Sequence, residues 1–245
     1  MGTSILQVLH MARSGMLARF QDLDVTSNNL ANVNSIGFKS SRMNFQELLA
    51  SARPSGVQVR STQAMLEQGA LRLTGRGLDL AISGEGYLAV RLPSGELGYT
   101  RDGALSRDAD GQFVTAGGYR LDWSGTLPAD ATDVRVEADG RVMALVSDVW
   151  SQAGTIQLSR FPNAASLTSF GQNLWIPSDI SGAAVAGAPG ANGMGTIVGG
   201  ALEQSNVNLA VEMTRLMLLQ RGFEMSLKAF QQTDRMMTQA IQLRK

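Results

Sequence analysis

Apolar residues recur at helical spacing at both ends of this chain. At the N-terminal end they follow a seven-residue repeat at Leu9, Met16, Leu23 and Leu30. At the C-terminal end ten positions alternate between spacings of four and three, and eight of them are apolar: Leu209, Met213, Leu216, Gln220, Phe223, Leu227, Phe230, Asp234, Met237 and Ile241. We call these two sets of positions the heptad seam. Such spacing predicts two amphipathic helices of the coiled-coil type.

The pattern between the two ends is different. Residues 33–70 are polar and weakly periodic, which predicts an extended connector. Beyond Gly69, short runs of alternating apolar and polar residues are separated by Asp-Gly pairs that begin at Asp102, Asp110 and Asp139. Asp-Gly is a common hairpin turn, so these runs predict antiparallel strands.

The pattern therefore predicts an α+β fold. We expect the N- and C-terminal helices to pair in a coiled-coil-like layer, with a central, mostly antiparallel β domain between them in sequence. The expected domains are a helical assembly domain made of 1–32 plus 207–245, the connector 33–70 and a β-rich outer domain 71–206.

Composition narrows the possible functions. Lys and Arg number 21, as do Asp and Glu, so the formal net charge is zero and no basic stripe for nucleic acid is present. A neutral chain meets little long-range repulsion when it associates with its own copies. The chain has no Cys and one His, His10, which argues against thiolate chemistry, disulfides and zinc sites of the Cys/His type.

Candidate chemistry is sparse. Residues 108–113 begin like a calcium loop, but Phe113 stands where that loop needs Gly and Tyr119 where it needs a carboxylate. The run therefore predicts a hairpin turn, and we expect no catalytic, cofactor-binding or metal-binding residue. Composition alone leaves room for a paired-carboxylate hydrolase. A surface hydrolase or binding module with oligomerising helical ends is therefore an alternative.

Polar amides cluster at the end of the first predicted helix, at Asn28, Asn29, Asn32 and Asn34. Asn favours helix ends and turns, and its neutral amide can donate and accept hydrogen bonds at once. The cluster predicts either contacts with another protein surface or a capped helix end. Gly37 is expected to take a positive φ and to end this helix.

Several motifs in this chain resemble those of bacterial flagellar rod and hook proteins. The resemblance is carried by 28-NNLANVNSIGFK-39, 74-TGRGLDLAISGEGYLAV-90, 99-YTRDGALSRDADGQFVTAGGY-119, 168-TSFGQNLW-175, 203-EQSNVNLAVEM-213 and 220-QRGFEMSLKAF-230. It covers nearly the whole chain in the right order. Within that family the single short β domain is most similar to that of distal rod subunits, with a proximal rod subunit as the alternative.

The resemblance implies a non-enzymatic structural subunit of the flagellar basal-body rod. Such subunits form a helical tube that transmits torque from motor to hook, with the helices lining the tube and the β domain outside. The implied partners are other copies of the chain, other rod subunits, the hook protein, the surrounding basal-body rings and the flagellar export apparatus. Export through the type III apparatus without a cleaved signal peptide, a rod crossing the periplasm and no cofactor, nucleic acid or small-molecule substrate are also implied.

The heptad seam and the resemblance together predict the subunit-interface residues. They are Leu9, Met16, Leu23, Asn28, Asn29, Leu30, Asn32, Asn34, Gly37, Phe38, Ser205, Asn206, Asn208, Met213, Leu216, Gln220, Phe223, Leu227, Phe230, Met237 and Ile241.

Overall fold

The computed structural model of the chain describes residues 2–50 and 53–242. These residues divide into two compact units. The helical unit comprises Met1–Asn32, Ser41–Met65 and Val207–Lys245, and the β unit comprises Val33–Ser40 and Leu66–Asn206. Long helices together with antiparallel sheets confirm the predicted α+β class.

Two long helices and one hairpin make up the helical unit. They are α1 (Gly2–Ala31), β1 (Ser41–Ala50), β2 (Arg53–Ala64) and α2 (Leu209–Gln242). Asn208 caps the start of α2, because its Oδ1 accepts hydrogen bonds from the backbone N–H groups of Ala210 (3.1 Å) and Val211 (3.3 Å). Asn is a preferred residue at this capping position because it satisfies donors that the helix leaves unpaired. Neither helix, over its described residues, contains an apolar stretch that could cross a bilayer.

The expected connector 33–70 contains this hairpin. The strands β1 and β2 pair antiparallel with Arg42 opposite Gln63, and the register shifts between Asn44 and Phe45 and between Leu48 and Leu49. Such shifts are β-bulges, which bend and twist a two-stranded ribbon. Weak periodicity in this sequence therefore marks an irregular ribbon, and the division of the chain into domains remains a prediction.

The β unit consists of seventeen short strands and one 3₁₀ turn, η1 (Ala164–Ser166). The strands are β3 (Leu71–Leu73), β4 (Leu80–Ser83), β5 (Tyr87–Arg91), β6 (Leu97–Thr100), β7 (Ser106–Arg107), β8 (Phe113–Val114), β9 (Arg120–Leu121), β10 (Trp123–Gly125), β11 (Asp133–Val136), β12 (Arg141–Val146), β13 (Val149–Ile156), β14 (Leu158–Arg160), β15 (Thr168–Gly171), β16 (Leu174–Ile176), β17 (Val185–Gly187), β18 (Thr196–Gly199) and β19 (Ala201–Glu203).

These strands form antiparallel sheets. The largest has the order β15-β16-β6-β5-β9-β8-β7, with β14 and β17 attached at β5, and a four-stranded sheet has the order β10-β13-β12-β11. The pairs β4–β18 and β3–β19 return the chain towards α2. One apolar core includes residues of the two larger sheets and of the pair β4–β18, and its buried side chains include Phe113, Leu80, Ile82, Leu158 and Val142.

Two of the three Asp-Gly pairs lie in hairpins as predicted. Gly111 and Gly140 have φ values of +74° and +89°, and each donates its N–H to the residue that opens the turn, Asp108 or Glu137. The hairpin prediction for Asp102 is wrong, because β6 and β7 on either side of it do not pair with each other in the described sheets. Gly103 instead accepts the Leu80 N–H at 2.9 Å, and its lack of a side chain permits that close crossing.

Candidate assembly site

The most buried residues of the two helices are polar or small. The buried residues are Ala18, Asp22, Thr26 and Asn29 on α1 and Glu212, Gly222 and Thr233 on α2. An ion pair joins the helices at Asp22 Oδ1 and Arg215 Nη2, 2.7 Å apart. The Thr26 hydroxyl and Glu212 Oε2 are buried without a hydrogen-bond partner among the described residues. A buried polar group without a hydrogen-bond partner costs free energy, so these two groups add nothing to the stability of the helix pair.

Asn29 of α1 forms hydrogen bonds with both the β1–β2 hairpin and α2. Its amide Nδ2 donates to the Ser41 carbonyl and its Oδ1 accepts from the Ser41 N–H, both at 2.9 Å. The same Nδ2 is 3.4 Å from Glu212 Oε1 on α2. One neutral side chain thus joins α1, β1 and α2, a role that a carboxylate could not perform because it cannot donate.

The heptad seam is only partly buried. Six of its predicted interface positions are half-buried: Met16, Leu23, Leu30, Leu216, Phe223 and Phe230. Three others, Met213, Gln220 and Leu227, are exposed. The side chains of Leu9, Met237 and Ile241 lie outside the described residues. The heptad seam is therefore partly buried within the helical unit and partly exposed to solvent.

Other apolar side chains widen the exposed part of this stripe. Leu17 of α1 is 59% exposed and Met217 of α2 is 51% exposed. We define the apolar helix surface as the following exposed residues: Leu17, Phe20, Met213, Met217, Leu218, Met225, Leu227 and Met236. Exposed apolar side chains in such number on a helix pair are typical of a site that another protein covers.

The predicted polar interface residues are mostly engaged within the chain. Asn32 donates its amide to the Asn28 carbonyl at 2.9 Å, which closes the end of α1, and Asn208 caps α2. Asn206 is half-buried, accepts the Ser40 N–H at 2.8 Å and donates to the Glu67 carbonyl at 3.0 Å. Asn28, Asn34 and Asn208 are exposed, whereas Asn32, Phe38 and Ser205 are half-buried. Their role between subunits remains a prediction.

Gly37 has the predicted positive φ, +65°, but it does not end the helix. The helix α1 ends at Ala31, and Asn32 supplies its closing contact. Gly37 is buried and donates its N–H to the Glu203 carbonyl at 2.8 Å. A Cβ there would lie 2.6 Å from the carbonyl carbon of Arg101, so its glycine is required by close backbone contact as well as by φ.

Three charged residues that are distant in sequence form a buried cluster beside Gly37. Glu203 bridges Lys39 Nζ through Oε1 and Arg101 Nη1 through Oε2 (3.2 Å), and all three side chains are at most 6% exposed. The Gly69 N–H donates to Glu203 Oε1 at 2.9 Å. Burial lowers the pKa of the Lys39 ammonium below its usual range, while the hydrogen bond to Glu203 opposes that shift.

The sequence did not predict the ion pair between α1 and α2 or the buried charged cluster of Lys39, Arg101 and Glu203. Asp22, Thr26 and Asn29 recur at helical spacing on the side of α1 away from the seam, and this polar repeat is the signal that could have indicated a second packed face. No local signal joins Lys39, Arg101 and Glu203, because their proximity depends on long-range strand pairing. Among the described side chains, no group of His, Asp and Glu is arranged to hold a metal ion.

Comparison with known proteins reveals matches along most of the chain. The family model for Flagella basal body rod protein matches residues 9–39, and that for the Flagellar hook protein FlgE/F/G D1 domain matches 81–144. A third, Flagellar basal body rod FlgEFG protein C-terminal, matches 198–243. The three matches include the Asn-rich segment, the strands of the β core and the helix α2.

Individual relatives are similar over almost their full length. The chain is 38% identical to the flagellar basal-body rod protein FlgG of Caulobacter vibrioides, over 98% of this chain and 100% of that protein. It is 35% identical to FlgG of Borreliella burgdorferi, over 95% and 97%. It is 29% identical to the flagellar basal-body rod protein FlgF of Mesorhizobium japonicum, over 95% of both chains.

Proposed function

Because this chain belongs to the flagellar basal-body rod protein family and is a structural subunit of the flagellar rod, we propose that it polymerises through α1 and α2 into a torque-transmitting helical tube. The apolar helix surface is the observation that carries this proposal. Its residues are exposed in the single chain, with nothing else in the described residues to cover them. Covering that surface with other copies gives a driving force of about 25 cal/mol for each Å² of apolar area buried.

The heptad seam is the proposed contact between chains. Its half-buried residues, such as Phe223, are partly covered within the helical unit, while exposed residues such as Met213 and Leu227 face solvent. A helix from another copy could therefore pack beside the pair in a coiled-coil-like arrangement.

The polar members of the predicted interface have a supporting role in this proposal. Asn29, Asn206 and Asn208 use their amides within the chain, so they would fix the backbone from which interface residues project. Asn28 and Asn34 are exposed and would contact neighbouring subunits directly. Neutral amides suit such contacts because burying them costs less than burying charges.

Two concentric layers follow from this assignment. Residues 1–32 and 207–245 would form the inner, tube-lining layer, and residues 71–206 would form the outer layer. The single apolar core within the β unit supports an outer domain that holds itself together. The segment 33–70, with its hairpin, would connect the layers.

We place the subunit in the distal part of the rod. The relatives at 38% and 35% identity are both named FlgG, which supports a distal over a proximal position for a chain that resembles distal rod subunits. The axial neighbours would be other rod subunits and the hook protein, surrounded by the basal-body rings. The rod would cross the periplasm, after export through the flagellar type III apparatus. The relatives' names support a non-enzymatic role over the hydrolase alternative.

Substitution of one exposed seam residue tests the proposal. Leu227 is 39% exposed, so Leu227→Glu should leave the chain folded while placing a charge in the interface between copies. Gln152→Glu is the matched control, because it adds the same charge at an exposed polar position of the β unit, outside the apolar helix surface. Sedimentation velocity and electron microscopy of the full chain should show polymers of the wild type and the control but not of Leu227→Glu. Equal assembly of all three would contradict the proposal.

A further inference from the structure

The β unit contains a partly open cavity whose walls carry two arginines. Its volume is about 250 Å³, and it is lined by Arg101, Arg160, Tyr87, Phe161 and Glu85, among other residues. Tyr87 and Phe161 are buried and pack edge to face, with ring centroids 6.0 Å apart. Pockets for drug-sized ligands range from about 300 to 1,000 Å³, so this cavity suits a group the size of one amino-acid side chain.

The wall formed by Arg101 carries excess positive charge. Arg101 and Lys39 share a single counter-charge, Glu203, which is fully buried. The Arg101 guanidinium lies over the Tyr87 ring, 5.3 Å from its centroid, and its Nη2 donates to the Gly84 carbonyl at 2.7 Å. Its Nε has no acceptor among the described residues. These contacts hold the guanidinium in place, so its field on the cavity is a fixed property of the fold.

The second arginine of the cavity, Arg160, can exchange its partner. Arg160 Nε lies 3.0 Å from Glu85 Oε2, and the two side chains are 47% and 70% exposed. Exposed ion pairs contribute only about 0–1 kcal/mol, so an incoming anion can replace Glu85 at Arg160. A buried pair would not permit such an exchange.

We propose that this cavity binds a carboxylate on a short apolar stem, with the carboxylate on Arg160, the stem against Tyr87 and Phe161, and Arg101 providing a fixed positive field. An acidic side chain of a second copy and a free small carboxylate share this chemistry. Glu85 competes with either one for Arg160. The site is separate from the apolar helix surface, and binding of a free carboxylate requires no polymer.

Two variants with opposite expected effects test the site. The probe is N-acetyl-glutamate, the reference is its uncharged amide N-acetyl-glutamine, and binding to the full chain is followed by saturation-transfer NMR. Glu85→Gln should tighten binding of the probe about twofold to fivefold, because it removes the competitor. Arg160→Gln should weaken binding about fivefold, because the ion pair with the carboxylate of the probe is lost.

Arg91→Gln is the control, since Arg91 is an exposed arginine paired with Asp122 elsewhere in the β unit. It should bind the probe like the wild type. Equal binding of probe and amide, or equal affinity of the Arg160 and Arg91 variants for the probe, would overturn the proposal. Sedimentation then distinguishes the sources of the carboxylate. If a second copy supplies it, the probe and Arg160→Gln both weaken self-association; if a free carboxylate is the ligand, self-association is unchanged.

Discussion

Replacement of Gly37 by alanine should destabilise the β unit more than the same change at Gly75. Both glycines have a positive φ, +65° and +75°, so a side chain strains the backbone similarly at each. A Cβ at Gly75 has nothing within 4 Å, whereas one at Gly37 would lie 2.6–2.7 Å from backbone atoms of Arg101 and Asp102. Only Gly37→Ala therefore combines backbone strain with steric overlap.

The magnitudes follow from these two contributions. The left-handed conformation costs a residue with a Cβ about 1–2 kcal/mol, which is the whole expected effect at Gly75. Overlap in a packed site adds about 1–3 kcal/mol at Gly37. Relief is limited there because Arg101 is held by Glu203 and by the Gly84 carbonyl. The change that alanine makes to the unfolded chain is the same at both positions and cancels in the comparison.

Chemical denaturation of the full chain gives the measurement. Trp123 and Trp175 both belong to the β unit, and Trp175 is buried, so tryptophan fluorescence reports its unfolding. We expect Gly37→Ala to lower the free energy of unfolding by about 1–3 kcal/mol more than Gly75→Ala. Equal losses would refute the close contact between Gly37 and the Arg101 backbone.

Two further substitutions test one polar group in each unit. Asn29→Asp should destabilise the helical unit by about 1–3 kcal/mol, because the carboxylate cannot donate to Ser41 and lies beside Glu212. The control Asn28→Asp, at an exposed position, should change stability by less than about 0.5 kcal/mol, and equal hydrogen exchange of the α1 amides in the two variants would contradict this prediction. Burial raises the pKa of Asp102 above 3.8, so ionisation of this carboxyl group opposes folding above the raised pKa. Asp102→Asn should therefore stabilise the chain at neutral pH, and the gain should shrink as the pH falls through the raised pKa towards 3.8. A gain that is independent of pH in thermal denaturation would refute this prediction.

The local chemistry of the sequence was sufficient to predict most element types, but not the hairpin of β1 and β2. Helical spacing indicated α1 and α2, and alternation with Asp-Gly punctuation indicated antiparallel strands and the turns at Gly111 and Gly140. The resemblance to rod and hook proteins was equally a matter of sequence, because its motifs are contiguous segments. These features depend on residues within a few positions of each other.

Only the tertiary structure decided which faces and which distant residues meet. A heptad repeat shows that a helix has an apolar stripe but not what covers it, so it could not reveal the ion pair between Asp22 of α1 and Arg215 of α2. Lys39, Arg101 and Glu203 meet because strand pairing brings separate segments together, and no local periodicity encodes that pairing. Gly37 follows the same principle: its positive φ was predictable from the glycine, but its contact with Arg101 arises only where the folded segments approach each other.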